Sequence, residues 1–189
     1  VAQMIAINAG AAFPIWLLHS PPGCGKTHLL SAIAQEAAIR TPERKVLMMT
    51  GQEFLEQFQS ALHKKRDSSV FKESVRAPNL LLIDDFQRIC GKKATEEEAF
   101  DTMHDLTRRG GQVVLAANHG ADGLAGLDDA LRAKLKGAAA CEILEPDTAL
   151  RRRILDARVA HYARVTPGFA VAPEALDFIA ERMHVSGRE

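Results

Sequence analysis

At 189 residues the chain is long enough for one well-buried domain and the start of a second. Hydrophobic residues make up 47% and charged residues 25%, ordinary values for a globular protein. Its 24 lysines and arginines balance 24 aspartates and glutamates, so no global field advertises nucleic acid or an anionic membrane, and any DNA contact has to be local or made by another part of the protein.

In chain order, Val1 to Ala9 carries a weak helical stripe that Gly10 stops. The longest apolar stretch, Ala11 to Leu18, is far too short to span a bilayer, and it contains the first strand, Ile15 to His19. No charged segment followed by a cleavable apolar core is visible, which argues against secretion. After the turn from Ser20 to Thr27, a helical pattern from His28 to Ile39 buries Leu29, Leu30, Ile33 and Ala37. Thr41-Pro42 ends it, and Val46 to Met49 is a short buried strand. Thr50-Gly-Gln-Glu53 reads as a capping box, followed by a helix with Phe54, Leu55, Phe58, Ala61 and Leu62 on one face. The basic cluster His63 to Arg66 leads to a short helix around Val70 to Val75, which Pro78 ends.

Leu80 to Ile83 is a fully apolar strand running into Asp84-Asp85. Thr95-Glu-Glu-Glu98 reads as a second capping box, opening a helix with Ala99, Phe100, Met103 and Leu106 inward and Gly110-Gly111 at its end. Val113 to Ala117 is the next strand, a glycine-rich loop leads to a short helix at Asp128 to Leu135, and Ala139 to Leu144 is the last strand. From Asp147 the pattern becomes helical, with Leu150, Ile154, Leu155 and Tyr162 on one helix, Arg151 to Arg153 on its solvent face, and a second helix opened by Pro173. Ser186 to Glu189 reads as a third capping box. Five strands alternating with helices predict an α/β fold with a parallel sheet covered on both faces over residues 1–145, and a small helical lid over 146–189. Valine at position 1 and the helix start at the end predict a piece of a longer protein. Cys24, Cys90 and Cys141 lack metal or redox spacing, as expected in a reducing cytoplasm.

The chemistry concentrates in two stretches. Ser20-Pro-Pro-Gly23-Cys24-Gly25-Lys26-Thr27, set between strand and helix, has the context of a P-loop, whose N–H groups and helix dipole favour phosphate. Lys26 would reach the β- and γ-phosphates and the Thr27 hydroxyl would ligate Mg²⁺. The pattern asks for glycine where this chain has Ser20, but Pro21 already pushes that residue toward extended backbone, so no left-handed glycine is required. Leu80 to Asp85 supplies the second half: Asp84 fits the Walker B role toward Mg²⁺, and Asp85 the role of orienting or deprotonating the attacking water. Asn118 closes the fourth strand, either to contact the γ-phosphate or the water, or simply to start a turn with Gly120. Together these motifs read as a P-loop NTPase.

Gly25-Lys-Thr-His28-Leu-Leu, Thr50 to Leu62, Leu81-Leu-Ile-Asp-Asp85, the Glu-rich segment at Thr95 and Val185-Ser-Gly-Arg-Glu189 together resemble the AAA+ domain of DnaA, the bacterial replication initiator, from about Phe13 to the last residue. The resemblance implies a RecA-like AAA+ core with a helical lid, binding ATP or ADP with Mg²⁺ through Pro22, Gly23, Cys24, Gly25, Lys26, Thr27 and His28. It makes Asn118 the sensor 1 residue, a position that is more often aspartate in the family, and Arg188 the sensor 2 arginine reaching from the lid. The family carries, on the helix at Asp128 to Leu135, an arginine that reaches the neighbouring subunit's ATP. The matching residue here is Lys134, with Arg132 nearby, and a solvated face of Arg132, Lys134 and Lys136 is the other reading. Of the family's single-strand-binding positions, Lys92 is retained, while Gln59 and Ala94 stand where an apolar residue and an arginine are expected. Lys93 and the His63 to Arg66 cluster are substitutes, or these lysines serve solubility alone.

The resulting expectation is a slowly hydrolysing ATP switch that assembles head-to-tail on origin DNA, with replicative helicase or sliding clamp as further partners. Asp85 is one methylene shorter than the glutamate many such ATPases carry, which suits slow hydrolysis. The alternatives are a DnaA-related regulator with little DNA binding of its own and a helicase loader of the DnaC type.

Overall fold

The computed structural model describes Ile5, residues 13–63 and residues 69–182. The N-terminal stripe apart from Ile5, the side chains of the His63 to Arg66 cluster, and the closing segment with Arg188 and the third capping pattern lie outside the described residues. The chain forms two compact units, residues 1–143 and 144–189.

In the first unit β1 (Ile15–His19), β2 (Val46–Thr50), β3 (Leu80–Asp84), β4 (Gln112–Ala117) and β5 (Ala139–Glu142) form one sheet in the order β2-β3-β4-β1-β5, and every pairing is parallel. Alternation along the strands splits the core between the two faces. Leu17, Leu81, Ile83, Val113 and Leu115 point to one face, where Phe54, Phe58, Phe71, Met103 and Leu106 cover them. Those residues come from α2 (Gly51–His63), α3 (Ser69–Arg76) and α4 (Lys93–Arg108). Trp16, Leu18, Leu80, Leu82, Val114 and Ala116 point to the other face, against Leu30, Ile33 and Ala37 of α1 (Lys26–Arg40). His19 pairs with Ala117 and Ile83 with Leu115, so Ser20, Asp84 and Asn118 emerge along the same carboxyl edge of the sheet.

The first capping box forms as expected. The Thr50 N–H donates to Glu53 Oε2 at 2.7 Å, and the Glu53 N–H donates to Thr50 Oγ1 at 3.1 Å. The second does not form. Helix α4 starts at Lys93 with Lys92 as its N-cap, which puts Thr95 inside the first turn and buries it. Glu98, instead of reaching back, is 4% exposed and takes Arg76 of α3 at 2.7 Å and Lys72 at 3.0 Å. The same four-residue pattern has been claimed by a tertiary ion network. At the other end of α4, Gly110 adopts φ 78° and the N–H of Gly111 returns to the Leu106 carbonyl at 3.0 Å, closing the helix with a Schellman turn. Leu62, expected inward, is 51% exposed.

The second unit contains α6 (Thr148–Val165), capped by Asp147, whose carboxylate accepts the Leu150 N–H at 2.7 Å, and α7 (Pro173–Arg182). Arg151 and Arg152 are not a plain solvent face. Arg151 Nε donates to the Ala180 carbonyl at 2.8 Å, and Arg152 pairs with Asp156 and Asp177, joining the two helices. Among the described residues no helix is long and apolar enough to cross a membrane.

Candidate nucleotide site

The loop between β1 and α1 is built on two glycines in left-handed backbone, Gly23 at φ 88° and Gly25 at φ 89°. Side chains rarely adopt that conformation, which is why glycine stands there. A Cβ on Gly25 would meet nothing within 4 Å, so the loop has open space at its mouth. Gly25 is also the N-cap of α1, so the unpaired N–H groups of the first helical turn follow directly on the loop. Ser20 is not left-handed, as the following proline requires, and it is 1% exposed. Its N–H donates to the Ala117 carbonyl at 3.3 Å, which fixes the start of the loop to β4. Lys26 is 8% exposed and folds back onto the loop, donating to the Ser20 carbonyl at 2.6 Å, the Pro21 carbonyl at 2.9 Å and Ser20 Oγ at 3.2 Å. The irregular serine thus supplies an acceptor that glycine would lack. Cys24 is half-buried, and Pro22 and His28 are exposed beside the loop.

The two motifs meet at Thr27 and Asp84. The hydroxyl of Thr27 donates to Asp84 Oδ2 at 2.5 Å, across 57 positions of sequence. Asp84 Oδ1 accepts the Asp85 N–H at 2.9 Å. A hydroxyl and a carboxylate are hard oxygen donors, the set Mg²⁺ takes, so these residues fit the ion the motifs imply.

Asp85 has φ 48°, and it is the one non-glycine residue with positive φ among the described residues. It caps a single 3₁₀ turn, Phe86–Arg88, in which Phe86 is fully buried and the Arg88 N–H returns to the Asp85 carbonyl at 2.9 Å. Burial of Phe86 anchors the turn, and a left-handed aspartate of this kind carries strain of order ~1 kcal/mol or more that the surroundings must hold. The first residue of α2 leaves no room beside it: a Cβ on Gly51 would lie 2.7 Å from the Asp85 carbonyl oxygen. Gln87 joins Asp85 to the end of β4. Its Nε2 donates to Asp85 Oδ1 at 2.9 Å, and its Oε1 accepts the Asn118 N–H at 3.3 Å. Neither Gly51 nor Gln87 stands out in the sequence as part of a site. The only signal was position, Gly51 one residue after β2 and Gln87 two residues after Asp85.

A family profile described as the bacterial DnaA ATPase domain matches residues 1–142. The chain belongs to the bacterial DnaA ATPase-domain family. It is 38% identical over 191 residues to the chromosomal replication initiator protein DnaA of Caulobacter vibrioides, covering 100% of this chain and 39% of that protein. The chain therefore spans well under half the length of the curated DnaA relatives it matches. Domain III of the Thermotoga maritima replication initiation protein DnaA superposes with a TM-score of 0.90 at 25% identity, covering 99% of this chain and 75% of that one. A replication initiator DnaA bound to AMPPCP and single-stranded DNA superposes with a TM-score of 0.83 at 26% identity, covering 96% and 54%. The fold is the α/β AAA+ fold of DnaA domains.

The residues that DnaA resemblance singled out for a neighbouring subunit are both engaged within this chain. Arg132, on α5 (Asp129–Lys136), donates to the carbonyls of Ala121 at 2.5 Å, Asp122 at 3.3 Å, Leu124 at 3.0 Å and Leu127 at 3.1 Å. Its guanidinium is engaged by the loop that follows β4. Lys134 lies over the Phe100 ring, 4.9 Å from its centroid, and burial pushes its ammonium below the ordinary lysine value. Lys136 is exposed and pairs at the surface with Asp122 at 2.6 Å, so of the three basic residues it alone fits a solvated face. Lys92 and Lys93 are exposed at the start of α4, and Gln59 is exposed on α2.

Proposed function

We propose that the chain is the nucleotide switch of a DnaA-type replication initiator, binding ATP or ADP with Mg²⁺ in the P-loop, hydrolysing ATP slowly, and assembling head-to-tail on origin DNA. One observation supports the reading: Thr27 and Asp84, distant in sequence, bring a hydroxyl and a carboxylate together beside an open glycine loop, hard oxygens of the kind Mg²⁺ would take. Bound there, Mg²⁺ would neutralise charge on the β- and γ-phosphates. The chain's own groups do the rest. Loop N–H groups and the α1 N-terminus receive phosphate oxygens, which as full anions displace the neutral carbonyls that Lys26 now holds. Asp85 orients the attacking water and accepts its proton, and Asn118 stands at the γ-phosphate end of the site. Arg188, from the lid, would report which nucleotide is present. Lys92 and Lys93 would make a local DNA contact, with origin binding mostly through other parts of the protein and replicative helicase or sliding clamp as further partners, in the cytoplasm.

Equilibrium titration with ATP and ADP, with and without Mg²⁺, tests the site. Asp84→Ala is expected to remove the Mg²⁺-dependent part of ATP affinity while nucleotide binding without metal persists. Unchanged Mg²⁺ dependence in that variant would overturn the assignment. A second reading, a DnaA-related regulator that binds nucleotide without forming a filament, draws support from Arg132, whose hydrogen bonds leave lysine as the only other intersubunit candidate. Assembly that is the same in ATP and ADP by sedimentation would favour it.

A further inference from the structure

Gln87 is not explained by packing alone, because its side chain is half-buried and both ends of its amide are engaged at the site. The partners fix which way the amide points. One is a carboxylate oxygen, which only accepts, and the other is a backbone N–H, which only donates. A flipped amide would set oxygen against oxygen and N–H against N–H, so the orientation with Nε2 on Asp85 and Oε1 on Asn118 is the only one that satisfies both. The backbone around it is constrained too: Asp85 sits in left-handed geometry, Phe86 is buried, and Gly51 packs against the Asp85 carbonyl. The remaining freedom of the Asp85 carboxylate is rotation about its own side-chain bonds, and the Gln87 amide removes that. It occupies Oδ1 only. Among the described residues Oδ2 receives no hydrogen bond.

We infer that Gln87 is a positioning residue for ATP hydrolysis: it clamps Oδ1 of Asp85 so that Oδ2 faces the attacking water, and it ties that orientation to the backbone of Asn118. This deepens the proposed function and rests on Asp85 being the group that activates water. Because the clamp is anchored on the end of β4, a nucleotide-dependent displacement of Asn118 would be passed to the Asp85 carboxylate through one side chain.

The test is single-turnover ATP hydrolysis by the full chain, with ATP affinity measured alongside, for wild type, Gln87→Met, Asp85→Asn and the double variant. Methionine keeps the length and most of the volume of glutamine but neither hydrogen bond. Gln87→Met is expected to lower the hydrolysis rate roughly 10- to 100-fold, the cost of a misdirected group, with ATP affinity unchanged. In the Asp85→Asn background the same substitution is expected to do nothing further, since a residue that acts through Asp85 has no effect without it. A rate in Gln87→Met equal to wild type, while Asp85→Asn is inactive, overturns the clamp and leaves Asp85 in its role. An additional loss in the double variant, or a parallel loss of ATP affinity, shows general structural damage and also overturns it. Full hydrolysis by Asp85→Asn removes the role of Asp85, and the clamp falls with it.

Discussion

Lys26 is almost wholly buried, and it is held by three oxygen atoms of the loop it belongs to, so its ammonium ties the loop, and in the proposed site it would also bind phosphate. Lys26→Ala is therefore expected to lose ATP affinity by ~2 kcal/mol or more, in line with removing a charge-assisted contact. Calorimetric titration reads the loss, and affinity within error of wild type would refute the dual role. Ser20 explains why the departure from the glycine pattern is tolerated: the backbone there is not left-handed, and the hydroxyl adds an acceptor for the lysine. That much was legible, because the restriction a proline imposes on the residue before it is local. Gln87 was not legible. A glutamine in a turn looks like surface until the end of β4, thirty-one positions away, is placed beside it. Cys90, also half-buried, gives a pH-dependent reading of the neighbouring loop. Burial first, and the charge of Glu96 second, push its thiol up to about 11. The thiolate is then about one part in a thousand at pH 8, so alkylation of Cys90 is expected to be slow there and to rise about tenfold per pH unit toward 10. Fast labelling at pH 7, followed by mass spectrometry, would contradict the buried placement.

The elements show where local pattern suffices and where it is overruled. Thr50 and Glu53 formed their box because both partners lie within one turn and nothing else competes for them. The Thr50 N–H first, and its hydroxyl second, hold the Glu53 carboxyl below its ordinary value of 4.5. A carboxyl lowered in this way contributes stability that is complete above its unfolded value and is lost as pH falls through the folded one. Glu53→Ala is expected to cost about 1 kcal/mol at neutral pH, the usual worth of a cap, and the gap from wild type should close in acid, once the carboxyl is protonated in the folded state. Denaturation at the two pH values checks it, and a gap independent of pH would show that the carboxylate is not the cause. Thr95 and Glu98 spell the same pattern, yet Glu98 faces Arg76 and Lys72 across the α3–α4 contact, and ionic partners in a buried setting outweigh two backbone N–H groups. Removing it takes the buried acceptor from Arg76, which keeps Asp105, and from the more exposed Lys72, so Glu98→Ala is expected to destabilise the fold by about 1 to 2 kcal/mol. A denaturation midpoint unchanged from wild type would refute that.

At the level of the whole molecule, the sheet order, its two-faced core and the meeting of P-loop and Walker B strand follow from features that sequence carries well: alternation of apolar strands with helices, and acids at a strand end. The intrachain engagement of Arg132 did not follow, because it depends on a loop whose carbonyls converge on the guanidinium only in three dimensions. Four acceptors from residues 121–127 make Arg132 the keystone of the segment joining the end of β4 to α5, and hence of the placement of Lys134. The two residues should then separate cleanly by experiment. Arg132→Ala is expected to lower thermal stability, because a buried-side carbonyl cluster loses its donor, and to weaken any assembly only in proportion. Lys134→Ala removes a cation resting on the Phe100 ring, an interaction of about 1 kcal/mol or less, so it should barely move the unfolding temperature. If Lys134 reaches a neighbour's nucleotide, that variant should nonetheless lose ATP-dependent assembly in sedimentation while binding ATP as tightly as wild type. Lys134→Arg should then restore assembly, since the guanidinium keeps the charge and adds bidentate contacts to phosphate oxygens. Assembly retained in Lys134→Ala would leave this helix without an intersubunit charge, and the head-to-tail filament without its switch.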